Sequence, residues 1–146
     1  MFNNIFKKFF NKELEDKLIE LKSSHNDLVL FLDKMNKTKS GAQTKEDLLN
    51  FPLLEWVDLN KYISIRRRNM RFGNYLNFET IVKKDGKFND HFHPDLIEST
   101  EITFGNMIDL KTNLSYKKFD VVHYDKGVEH ELKALEDSRL NVIFKP

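Results

Sequence analysis

Three histidines and one glutamate have types and spacing that could do chemistry. His91 and His93 are two residues apart, so on an extended strand both imidazoles project from one face. Pro94-Asp95 can turn the chain after them, and Glu98, opening the next extended run, could face the same point. His130 returns much later, three residues past Gly127. Imidazoles with a carboxylate form a nitrogen and oxygen donor set that suits a borderline divalent ion. Taken alone, a histidine on a strand reads more readily as a hydrogen-bonded structural residue, and a His-x-His pair arises easily by chance. The joint spacing is what singles these four out. The chain has no cysteine, so thiolate ligands, disulfides and cysteine nucleophiles are excluded.

The elements that must position these residues divide near residue 55. From about Leu59 onward the sequence predicts short strands at Tyr62–Arg68, Phe72–Lys83, Lys87–His93, Glu98–Leu110, Leu114–Lys117, Val121–Tyr124, Glu129–Leu135 and Arg139–Lys145. Turn signals separate them at Asp85-Gly86, Pro94-Asp95, Thr112-Asn113, Lys126-Gly127 and Glu136-Asp137-Ser138. Such a series suggests an antiparallel sandwich or barrel. Before the division the pattern is helical. Leu14, Leu18, Leu21, His25, Leu28, Leu32 and Met35 alternate at intervals of four and three, a heptad seam that fades near 36–41. A short helical turn is expected at Lys45–Asn50, capped by Thr44 and ended by Pro52. The seam reads either as a contact between two copies, giving a homodimer, or as one amphipathic helix lying on the barrel.

A family resemblance rests on the same residues. His91-Phe92-His93, then Glu98, then Gly105, with Gly86 shortly upstream, resembles the first motif of the cupin superfamily. The stretch from Phe119 to His130 is similar in length and order to the second cupin motif, matching it at Asp120, Gly127 and His130. Phe119 stands where glycine is usual and Asp125 where proline is usual. The closing stretch, Leu132 to Phe144, also looks like the last hairpin of small microbial cupins. The resemblance covers roughly residues 60–146 and has no counterpart for the helical part. It implies a mainly β, double-stranded β-helix (jelly-roll) barrel, assigned to 56–146; the helical extension at 1–55 rests on the periodicity alone. It also implies one divalent metal ion (Fe, Mn, Zn or Ni) held by His91, His93, Glu98 and His130. Such an ion with open positions could activate dioxygen or polarise a carbonyl, whereas closed tetrahedral zinc would be structural or sensory. Two functions stay open: a ligand-binding or sensing module, and a metal-dependent dioxygenase or isomerase acting on a small molecule.

Parity along the strands suggests what surrounds the four. Thr100, Ile102 and Phe104 share parity with Glu98 and should line a cavity, with Phe78, Thr80 and Tyr124 as further candidates. Glu101 should point outward. His123 reads as a wall or surface residue, or as a proton shuttle. Arg71 is the nearby cation that could grip a carboxylate. The sequence marks no catalytic residue; the four are candidate metal ligands.

The bulk composition sets outer limits. The chain has 146 residues, enough for one compact domain with an extension, and 24 basic against 23 acidic residues. That balance gives no field favouring nucleic acid, and Arg66-Arg67-Arg68 reads as an exposed strand face rather than a phosphate track. No stretch approaches a transmembrane span or a signal peptide, so a cytoplasmic protein is expected. Phe2, Ile5, Phe6, Phe9 and Phe10 share a helical face that could dock on the protein, on a partner or on a membrane surface.

Overall fold

A computed structural model describes residues 2–70 and 72–146, with side chains from residue 11 onward. The aromatic face of residues 2–10 and the cation Arg71 therefore lie outside the described side chains.

Helix α1 (Phe2–Met35) contains neither proline nor glycine and runs for about 50 Å at the usual rise per residue. Its last turns lie on the body of the protein. Phe31 and Met35 are buried there, and Leu28 and Leu32 pack against the same core. Leu14, Leu18 and Leu21 are exposed, as is His25. Asn36 closes the helix by donating its side-chain amide to the carbonyls of Leu32 and Leu59.

Two strands and a short helix follow: β1 (Lys39–Ala42), α2 (Lys45–Leu48) and β2 (Trp56–Asp58). The expected turn is a capping box. The Thr44 hydroxyl accepts from the Asp47 amide at 3.2 Å, and the Asp47 carboxylate accepts from the Thr44 amide at 3.0 Å. Strand β1 falls where the sequence reading has the helix fading. Lys39-Ser40-Gly41-Ala42 lacks the alternation of a strand, and backbone pairing to a neighbour makes it one.

The remaining strands are β3 (Ile63–Arg68), β4 (Leu76–Val82), β5 (Lys87–Phe92), β6 (Ile97–Phe104), β7 (Asn106–Asp109), β8 (Leu114–Lys117), β9 (Val121–Tyr124), β10 (His130–Ala134) and β11 (Ser138–Lys145). They form a five-stranded sheet, β1-β5-β10-β7-β8, and a six-stranded sheet, β2-β3-β4-β11-β6-β9. All pairings are antiparallel except β1 with β5. The two sheets face each other across an apolar core in a mainly β jelly-roll sandwich, as the sequence reading expects.

The run expected as one strand, Glu98–Leu110, breaks into β6 and β7 at Gly105. Gly105 has φ +90°, and a Cβ there would lie 2.3 Å from Ser138 Oγ and 2.4 Å from the Asp137 carbonyl. Next to this break β6 slips against β11: Leu140 pairs with Ile102 but Arg139 with Phe104. The extra residue reverses the strand's parity. Phe104 is therefore on the outside, 56% exposed, and not in the cavity as expected.

Candidate metal centre

The two sheets bring all four candidate residues to one buried point. His91 is on β5 and His93 immediately follows it; β10 sets His130 directly opposite His91. Glu98 reaches across from β6 of the other sheet. Their ligand atoms all lie within 4.8 Å of one another, and every one of the four residues is buried. His130 Nε2 is 2.6 Å and His93 Nε2 3.3 Å from Glu98 Oε2.

Hydrogen bonds on the far side of each imidazole fix its orientation. His91 Nδ1 faces the Asn89 carbonyl at 2.6 Å, His93 Nδ1 the Gln43 carbonyl at 2.9 Å, and His130 Nδ1 the Val128 carbonyl at 3.0 Å. A carbonyl can only accept, so each Nδ1 carries the proton and each Nε2 lone pair is left for the centre. Thr100 donates its hydroxyl to Glu98 Oε1 at 2.9 Å, which leaves Oε2 directed inward. His93 Nε2, His130 Nε2 and Glu98 Oε2 are buried without a hydrogen-bond partner. Acceptors crowded this closely repel one another unless a proton or a cation lies between them. A single proton between His130 and Glu98 relieves only one contact; a divalent cation satisfies all four groups. The residues present therefore fit a metal ion held by nitrogen and oxygen.

The electrostatics follow from this crowding. Burial, followed by the neighbouring His130 and His93, pushes His91 down to about 3. Burial alone would raise Glu98, but with no cation bound, the charge of a protonated His130 and the close approach of His130 and His93 hold it well below the usual carboxylate range. Burial would lower His130, and the charge and hydrogen bond of Glu98 raise it instead.

The Tyr124 ring stacks on His130, with centroids 4.0 Å apart and planes within 6°. Its hydroxyl donates to the buried Asp109 at 2.7 Å. Burial and that bond raise the phenol above its ordinary range. Tyr124 thus backs a candidate ligand rather than lining open space.

A cavity of about 50 Å³ adjoins the four residues. Thr100, Thr80 and Phe78 line it, together with Met35, Leu48 and Phe51 from the N-terminal part. Ile102 is fully buried in the core instead of on the cavity wall. His123 faces outward and is exposed, its Nδ1 2.7 Å from Ser99 Oγ. Among the arginines of β3, Arg66 pairs with Glu79 at 2.6 Å and Arg67 donates to the Phe51 carbonyl at 3.2 Å. Gln43 and Asn89 orient two imidazoles through main-chain carbonyls, which no side-chain pattern could signal. Asp109 acts through Tyr124 and had no motif to mark it.

No protein-family model matches the chain, and no curated protein matches it. Solved structures do. KdgF from Halomonas sp. superposes with a TM-score of 0.58 at 16% identity, over 63% of this chain and 87% of that one. An RmlC-like cupin from Shewanella frigidimarina gives a TM-score of 0.58 at 13% identity, over 66% of this chain and 89% of that one. The fold is a cupin. A chain from the complex of Rhodobacter sphaeroides SigE with the anti-sigma ChrR gives a TM-score of 0.55 at 18% identity, over 64% of this chain and 50% of that one. These likenesses carry the cupin fold and not a shared activity. Within that fold, Gly105 and Gly127 both have positive φ, as does Phe119 at +78° where the cupin pattern has glycine.

Proposed function

We propose that this cupin binds one divalent metal ion through His91, His93, Glu98 and His130 and serves as a ligand-binding or sensing module. The observation that carries this reading is the set of buried, unpartnered acceptors converging from both sheets. Iron, manganese, zinc and nickel all suit the donor set. Once bound, such an ion would polarise a small ligand or, as iron, bind dioxygen. The chain's own residues orient the imidazoles, fix one carboxylate oxygen and exclude bulk water.

The cavity favours a module over a dioxygenase or isomerase. Apart from the four ligands, its polar lining is Gln43, Thr80 and Thr100. None of these titrates near neutrality, so an enzyme here would draw its acid or base from the substrate or from solvent. The small volume suits a ligand of only a few non-hydrogen atoms. A chain without cysteine has no disulfide that would require an oxidising compartment, and we assign it to the cytoplasm. We read the outer half of α1 as the contact between two copies.

Elemental analysis of protein purified without added metal tests the reading. The expected result is close to one ion per chain, lost in both His91→Ala and His130→Ala. Protein that carries no ion and takes up none from zinc, manganese, iron(II) or nickel solutions would refute it.

A further inference from the structure

Residues 31–51 precede most of the barrel strands, yet they reach the candidate metal centre at several points. The Gln43 carbonyl holds His93 Nδ1 at 2.9 Å. That carbonyl is itself held in place, because the Gln43 amide donates to the Phe92 carbonyl at 2.8 Å as β1 runs along β5. The Gln43 side chain donates to Ser40 Oγ at 3.2 Å within the same segment. Asn89 links the end of α1 to a second ligand. Its side-chain amide donates to the carbonyls of Asn36 and Lys37 at 3.2 and 2.9 Å, and its own carbonyl faces His91 Nδ1. Asp95, two residues past His93, accepts from the Lys45 amide at 3.1 Å and so ties α2 to the same turn. Met35, Leu48 and Phe51 complete the cavity wall, and Phe51 packs edge-on against both Phe31 and Phe78.

From these contacts we infer that residues 31–51 are a working part of the metal centre: docking of this strap and binding of a divalent ion are coupled, with Gln43, Asn89 and Met35 as positioning residues. The inference rests on the proposed metal reading. Groups behind a ligating imidazole set its tautomer and direction, and their loss weakens metal binding by about 10- to 100-fold. Linkage makes the effect reciprocal, so the ion must tighten the strap by the factor that the strap tightens the ion. The strap continues directly into the exposed half of α1, which places occupancy of a buried centre in contact with an external helix.

Cobalt(II) titration of the full chain, followed by its visible absorption, tests this beside hydrogen exchange of the same protein with and without cobalt. Asn89→Ala and Met35→Ala are expected to weaken cobalt binding about tenfold or more and to alter the absorption bands, with Met35→Leu restoring both. Met107→Ala is the control. Met107 is fully buried on β7 and does not line the cavity, so its loss should lower the unfolding midpoint with cobalt affinity unchanged. Amides of residues 31–51 should exchange about tenfold more slowly with cobalt bound, whereas those of β8 should not change. If cobalt binds but the strap's exchange is unaltered and both variants bind normally, the coupling is wrong and the metal reading stands. If the unmodified chain binds no cobalt, the metal reading fails, and the coupling with it.

Discussion

His91 gives up its charge because burial strips it of solvation and the neighbouring His130 and His93 disfavour a further positive charge. Its folded value of about 3 lies far below the ordinary 6.5. Between these values the unfolded chain holds a proton that the folded chain lacks, so stability rises with pH there and falls as pH drops from 6.5 toward 3. One such proton corresponds to at most about 1.4 kcal/mol per pH unit. Glu98, held low by the imidazoles, acts in the same direction: its contribution is present above its ordinary range and lost as pH falls. His130 acts oppositely, since its raised value stabilises the fold below 6.5 and that share is lost as pH climbs through it. For chelator-treated protein, urea unfolding should show the midpoint falling steadily between pH 6.5 and 4. His91→Ala should flatten that slope, and an unaltered slope would mean that the buried imidazole is not its source.

Two turns decide how the elements meet, and they make opposite predictions. Gly105 lets β6 pass into β7 against Ser138, where any Cβ would collide. Gly105→Ala should cost about 2 kcal/mol or more, the usual scale for strain at an incompatible backbone position. Phe119 holds φ +78° and is 74% exposed, so it pays backbone strain with little burial in return. Relief of about 1–2 kcal/mol of left-handed strain exceeds the ~0.4–1 kcal/mol of added chain entropy, so Phe119→Gly should raise the urea midpoint slightly. A loss of stability would show that the exposed ring contributes more than its surroundings suggest. The same two turns mark what sequence patterns carry. The four candidate ligands were recognisable because side-chain chemistry and period-2 spacing are written in residue types. The strands β3 to β11 are legible for the same reason, within about four residues, except that the spacing runs β6 and β7 together across Gly105. Strand β1 was not, because Lys39–Ala42 is a strand by virtue of its partner's backbone. Phe104 lies on the face opposite to the one its spacing predicts, because a single bulge residue inverts parity without changing composition. The carbonyls of Gln43 and Asn89 were invisible, since every residue supplies one.

The whole molecule is a barrel with half a helix left over. The seam that runs through α1 has two fates: Leu28, Leu32 and Met35 pack on the barrel, whereas Leu14, Leu18 and Leu21 remain exposed in the single chain. Most helical stability in proteins comes from packing an apolar face, so the exposed seam over the outer turns of α1 is the surface we expect a second copy to cover. Flanking charge favours an antiparallel pair of copies. A parallel arrangement would set Lys17 against Lys22 of the partner subunit, whereas an antiparallel one brings Glu15 toward Lys22 of the partner subunit. Residues 26–146 keep Leu28, Phe31, Leu32 and Met35, the described α1 side chains packed in the core, and remove the exposed seam of Leu14, Leu18 and Leu21. That truncated chain should scatter light as a monomer while the 17.4 kDa full chain scatters as a dimer. It should still bind the proposed ion, because Phe31, Met35 and the strap remain. A full chain that already scatters as a monomer would rule out the seam as a contact between copies. Loss of metal on truncation would move the boundary of the metal centre outward along α1, beyond the last turns that touch the cavity.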